Sequence, residues 1–185
     1  MAALITTTAI GAPAVSTDKP AYLLYQQLRL QLQREVSEDI SRYLAEPVFD
    51  SHQDEIDWYS TVDGSITSFS DLSELGQIEY IGQIEGIRRQ LKRVGESYLK
   101  EGADPAKLTI GKALIAASGE PEKQYRYLVG DQPVVVFWGF IQKATDYPEL
   151  LEKFIEIHHP PAKPPAPEVP PETIDAKEPK NEEKG

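Results

Sequence analysis

An α+β fold, with an antiparallel sheet of about four to five strands packed by helices and a long central helix, is what this chain predicts. Three features predict it. Tyr125-Arg126-Tyr127-Leu128-Val129 and Val134-Val135-Val136-Phe137-Trp138 are β-branched and aromatic runs separated by Gly130-Asp131-Gln132-Pro133. A Gly-first two-residue loop suits a type II′ turn, so they read as a hairpin. Tyr80, Ile84, Ile87, Leu91, Val94 and Tyr98 recur at three- and four-residue spacing and read as one face of a long helix. Helical and strand-like segments alternate without the regular βαβ order that a parallel sheet needs, and no internal repeat is visible.

The elements follow in order. Residues 1 to 17 have no basic leader and no continuous apolar core, and are expected to be an uncommitted, disordered lead-in to a single domain over 18 to 158. Asp18 and Pro20 start a first helix carrying Tyr25, Leu28, Leu32, Val36, Ile40 and Tyr43, which Pro47 ends. Val48-Phe49-Asp50, Glu55 to Ser60 and Ser65 to Phe69, with a turn at Val62-Asp63-Gly64, read as a second hairpin or meander. Asp71 and Glu74 have capping-box spacing and open the long helix, which should end near Gly102. Gly76, Gly82, Gly86 and Gly95 lie inside it at about 1 kcal/mol each relative to Ala, which close backbone approach would partly offset. Asp104-Pro105 begins the next helix, with Leu108, Leu114 and Ile115, and Gly119 and Pro121 stop it. Asp146 to His158 forms a last helix with Leu150, Leu151, Phe154, Ile155 and Ile157 on a broad apolar face. Val134 to Trp138 is apolar without alternation, so this strand should be covered on both faces, with Pro133 at its start. The expected core comprises Trp58, Tyr59, Ile84, Leu91, Tyr127, Val134, Val136 and Trp138.

Charge narrows the function. The chain has 19 Lys plus Arg against 30 Asp plus Glu, net -11, and residues 160 to 185 hold only 4 and 6 of these. A uniformly acidic body repels phosphate and anionic lipid, which argues against nucleic-acid binding; Arg88, Arg89, Lys92 and Arg93 are the one basic cluster. The absence of cysteine excludes disulfides, thiol catalysis and thiolate metal sites within these residues. No run approaches the ~18 apolar residues of a membrane span, so direct insertion is not expected and a cytoplasmic location is.

Candidate chemistry is thin. Of the three histidines, His158 and His159 are adjacent, and adjacent side chains on a helix project about 100° apart, a poor geometry for chelating one ion. His52 stands among Asp50, Ser51, Asp54 and Glu55, a set from which a hydrolase could draw, but as neighbours in one polar connection. Asp57 and Asp63 add carboxylates, with Asp57 expected on the solvent face of a strand whose Ile56 and Trp58 face inward. Gly111-Lys112 has the end of a phosphate-binding loop, yet Ala113 and Ala106 stand where Ser or Thr and the first glycine are required. No catalytic, cofactor-binding or metal-binding residue is assigned. The Tyr80 to Tyr98 stripe has two readings, a core face or a coiled-coil dimer; the domain is expected to be a monomer or weak homo-oligomer.

Beyond His159 the composition changes. Pro161, Pro164, Pro167 and Pro170 recur every third residue and form one edge of a polyproline II helix spanning about 37 Å over residues 160 to 171. That edge is a semi-rigid spacer or a ligand for an aromatic-lined groove, and the rest of the 159 to 185 tail should be disordered.

Glu55-Ile56-Asp57-Trp58-Tyr59-Ser60, Asp63-Gly64, the long helix, Gly111-Lys112-Ala113-Leu114, and Tyr127 to Val134 with Phe137-Trp138-Gly139-Phe140 resemble, in order and spacing, the N-terminal region of the bacterial SrfA family of virulence factors. The likeness covers roughly residues 22 to 141. It implies a virulence-associated cytoplasmic domain followed by a proline-rich linker and an inner-membrane anchor, with no established biochemical role. Here the helix from Asp146 to His158 precedes the prolines, and no anchor follows within these residues. The expectation is a non-enzymatic interaction or scaffold domain for a protein partner. The alternatives are a hydrolase-like enzyme around His52 and Asp54, or a structural oligomer built on the helix stripe.

Overall fold

The computed structural model describes residues 2–14, 19–49, 52 and 54–160. The prolines at 161, 164, 167 and 170, the proposed helix start at Asp18, and Asp50 and Ser51 lie outside the described residues. Strands β1 (Ala3–Ala9), β2 (Glu46–Phe49) and β3 (Glu55–Ser60) form one antiparallel sheet in the order β1-β3-β2. Strands β4 (Ile66–Ser68), β5 (Arg126–Val129) and β6 (Gln132–Val135) form a second, in the order β4-β5-β6. Helices α1 (Tyr25–Glu35), α2 (Glu38–Ser41), α3 (Glu74–Ser97), α4 (Pro105–Ala117) and α5 (Tyr147–His158) complete an α+β arrangement. None of these helices is long and apolar enough to cross a membrane.

Two three-stranded sheets replace the single larger sheet expected. The apolar run from Val134 does not continue as a strand, because Phe137 takes φ 57° and Gly139 φ 82°, which turns the backbone out of the ladder. Phe137 is held in this unfavourable region by stacking on Tyr125 and Phe140, with ring centroids at 4.6 and 4.3 Å. Trp138 is thereby turned toward β3, where its ring meets Trp58 edge-on at 5.8 Å and its indole N–H donates to the Ala45 carbonyl at 2.9 Å. The sheets are also stitched through the backbone. Val135 donates to Tyr43 and accepts from Ala45, giving β6 cover on its second edge.

The lead-in is also corrected. Ala3–Ala9 form a strand whose register with β3 runs from Ala3 opposite Ser60 to Ala9 opposite Glu55, with an irregularity between Leu4 and Thr6. Its β-branched residues suit a strand, but the partner lies some fifty positions away, beyond any local pattern. Thr8 Oγ1 accepts the Trp58 indole N–H at 2.9 Å, satisfying a buried donor.

The first helix is broken into a 3-10 turn at Ala21–Leu24, α1 and α2. Ser37 makes the break, its hydroxyl accepting Ile40 N–H and offering the chain a new helix start. The N-cap of α3 is Ser73, accepting from Gly76 N–H at 3.0 Å, and not Asp71, which belongs to a preceding 3-10 turn. Helix α4 is capped by Asp104, with Pro105 in its first turn. At the β5-β6 turn Gly130 has φ 58° and Asp131 stays on the negative side, as a type II′ turn requires.

Tyr80, Ile84, Leu91 and Val94 of the helix stripe are buried within the chain, and Ile87 and Tyr98 pack against the same core. At the α3–α4 crossing Gly95 and Gly111 face each other; a Cβ on either would stand 2.7–2.8 Å from the other's carbonyl oxygen. Phe154 of α5 rests over Gly82, in the space where a side chain would stand. Trp58, Val134, Val136 and Trp138 are buried with Ile84 and Leu91. Tyr127 is only half-buried at the margin of the core, and Tyr59 lies on the opposite face of β3, because side chains alternate along a strand.

Candidate functional site

The sequence-predicted chemistry is placed apart. His52 is exposed in a turn, Asp54 and Glu55 are exposed at the entry to β3, and Asp63 is exposed in the connection to β4. Asp57 lies on the outer face of β3, where it accepts from the Thr7 hydroxyl. His158 meets Glu79 with 2.6 Å between Nε2 and Oε2, whereas His159 is exposed. Among the described residues no group of three His, Cys, Asp or Glu side chains is arranged to hold a metal ion.

The residues that sequence reasoning missed lie under α5. Arg126, with no exposed surface, makes a bidentate pair with Asp146, both contacts 2.8 Å, while its Nε donates to the Pro121 carbonyl at 2.9 Å. Its guanidinium lies over the Phe69 ring, 4.6 Å from the centroid. The Arg126 hydrogen bonds hold the Asp146 carboxyl below its ordinary pKa. Beside this pair Arg88 donates to Ser118 O, Glu85 and the Tyr147 hydroxyl, and Tyr147 in turn donates to Glu85 at 2.7 Å. Burial raises the phenol pKa values of Tyr147, Tyr80 and Tyr43, so these groups stay protonated at neutral pH. Arg88, part of the apparent basic cluster in the sequence, is turned inward, and Glu85 is shared between it and Arg89. Two guanidiniums saturated by fixed partners pin a helix; they offer no free acid, base or nucleophile.

One surface open to a ligand is a groove along the outer side of α3. Gly76, Tyr80, Gln83 and Ile87, spaced by three and four, fall on one stripe of the helix. Across from that stripe stand α2, the turn before β4 and the β5-β6 hairpin. Two depressions of ≈ 540 and ≈ 310 Å³ meet at Gln83 and Asp131, which line both. Half-buried Ile40, Val62 and Ile87 supply apolar surface in the larger one, Leu72 and Leu128 in the smaller. Asp39, Glu79 and Asp131 supply the rim, with Arg42 as the single cation among the described residues that line it, itself 3.4 Å from Asp39. A depression of ≈ 610 Å³ beneath the α3–α4 loop has Tyr98 as its only large apolar wall amid Lys100, Glu101, Asp104 and Lys107. The α3 groove therefore combines the apolar floor and charged rim of a segment-binding surface.

The helix stripe was legible in the sequence as a core face; that Gln83 and Gly76 border a groove depends on the distant hairpin laid beside them. The chain matches no protein-family model, no curated protein and no solved structure.

Proposed function

We propose that this domain is a non-enzymatic protein-interaction module whose α3 groove receives an extended segment of a protein partner. The observation that carries the reading is the continuous groove with an apolar floor and an acidic rim, set on a helix clamped from both sides. An uncharged or cationic segment suits that rim, since an acidic one would face Asp39, Glu79 and Asp131. The hydrolase reading around His52 and Asp54 has less support, because those side chains sit on an exposed connection away from any of the depressions described. The oligomer reading has less support too, because Tyr80, Ile84, Leu91 and Val94 of the stripe it needs are buried by the chain's own elements. The SrfA likeness belongs to the same proposal: it implies a virulence-associated, cytoplasmic setting and, if the natural chain continues past Gly185, an inner-membrane tether.

Titration of the 15N-labelled full chain with extended cationic peptides tests the groove. Shifts at Gln83, Ile87 and Asp131, abolished by Ile87→Glu, are expected. Shifts confined to His52 and Asp54, together with peptide turnover lost in His52→Ala, would replace this reading with the enzymatic one.

A further inference from the structure

We propose that β1 is a docking edge for an extended segment of a partner protein, which pairs along residues 6 to 9 as a fourth strand and carries lysine or arginine at the alternate positions facing the outer side of the sheet. This surface is separate from the α3 groove and goes beyond that reading. Three observations carry it.

The edge itself is the first. The two sheets end in four edges, of which three are blunted: β2 has Pro47, which lacks a donor, β4 is three residues long, and β6 is met by the backbone of Tyr43 and Ala45. By contrast β1 runs for seven residues with no proline and no charge, and among the described residues its only ladder is with β3. Its irregularity lies between Leu4 and Thr6, so residues 6 to 9 keep an even register against Trp58, Asp57, Ile56 and Glu55. In an antiparallel ladder alternate residues turn both N–H and C=O away from the partner strand, and along β1 these groups face the open side.

Side-chain access is the second. Thr7 and Ala9 are exposed on the outer face, and Thr6 and Thr8 are half-buried on the inner one. These four short side chains cannot fold back over the edge.

Charge is the third, and it names the occupant. Glu46, Glu55 and Asp57 are the charged residues of the three strands, which contain no lysine or arginine. Residues opposite each other in the ladder share a face, so Thr7 with Asp57, Ala9 with Glu55 and Glu46 with Tyr59 lie on the outer side. Among the described residues no ion pair involves these three carboxylates. A strand added beside β1 lies about 10 Å from β3, two ladder spacings, a gap that a lysine or arginine stem largely spans. A second copy is disfavoured at the same edge, since pairing would lay two acidic faces side by side on chains of net charge -11.

A short peptide of alternating lysine and valine, titrated into the 15N-labelled full chain carrying Ile87→Glu to disable the α3 groove, tests the edge. Amide shifts at Thr7, Thr8 and Ala9 are expected, with slowed hydrogen exchange at the edge-facing amides. Ala9→Lys, at an exposed position, should weaken that binding about threefold, the scale of one exposed charge pair. A peptide of alternating glutamate and valine should bind more weakly by at least that factor. Equal binding of the two peptides would overturn the proposal, and so would an absence of shifts along β1. Shifts along β1 that grow with protein concentration alone, together with a dimer in sedimentation, would overturn it by giving the edge to a second copy. In the wild type, peptide shifts at Gln83, Ile87 and Asp131 without any along β1 would sink this inference and leave the groove reading standing; shifts along β1 alone would do the reverse.

Discussion

Arg126 and Asp146 show how much can depend on one pair. A guanidinium with no access to water is tolerated only because two carboxylate contacts, a carbonyl and an aromatic face meet it. Asp146→Ala should cost about 3 kcal/mol, at the low end for a buried pair because the carboxylate is partly exposed, measured by urea denaturation. The same contact sets a pH dependence. Since the folded pKa of Asp146 is lowered, its contribution is complete above the unfolded value near 3.8 and is lost as pH falls below that toward the folded pKa. Denaturation midpoints of wild type and Asp146→Asn should therefore converge in acid. Thr8→Val leaves the Trp58 indole N–H unpaired and should cost about 1–3 kcal/mol in the same assay.

At the scale of elements, the glycines of α3 differ because their surroundings differ. Gly86 has nothing within 4 Å of the place a methyl group would take, so Gly86→Ala should stabilise by up to about 1 kcal/mol through helix propensity. Gly95→Ala drives a methyl into the Gly111 carbonyl and the Leu114 and Ile115 side chains, and the overpacking cost of about 1–3 kcal/mol should outweigh that gain. Thermal melts of the two variants should move in opposite directions. In the sequence these residues are alike, four glycines in one helical pattern, and only the helix crossing separates them. The β5-β6 hairpin shows the reverse case: Gly130-Asp131 between two β-branched runs was readable because the turn and its strands are neighbours in the chain. Strand β1 was missed because its partner is remote, and the break at Ser37 because a single hydroxyl redirected a helix whose apolar spacing continued without interruption.

Across the whole molecule, the indoles of Trp58 and Trp138 join the two sheets. Each ring is buried, each N–H has a partner, and their edge-on contact ties β3 to the segment after β6. Iodide should leave the native tryptophan fluorescence nearly unquenched. Trp138→Ala should cost about 3–5 kcal/mol and remove the near-ultraviolet dichroism of the pair. A functional surface at this scale arises where separate pieces meet: α2, the turn before β4, the hairpin and α3 contribute to one groove, though none of them carries a recognisable motif.

Periodicity and turn chemistry were enough to set the α+β class, the helical cores of α3, α4 and α5, and the Gly130-Asp131 hairpin, because each is decided by residues a few positions apart. Long-range packing settled that the strands divide into two sheets, that the N-terminal residues complete one of them, that Arg88 and Arg126 turn inward to hold α5, and that a groove opens along α3. Those outcomes depend on contacts between segments tens of residues apart, where burial overrides local preference.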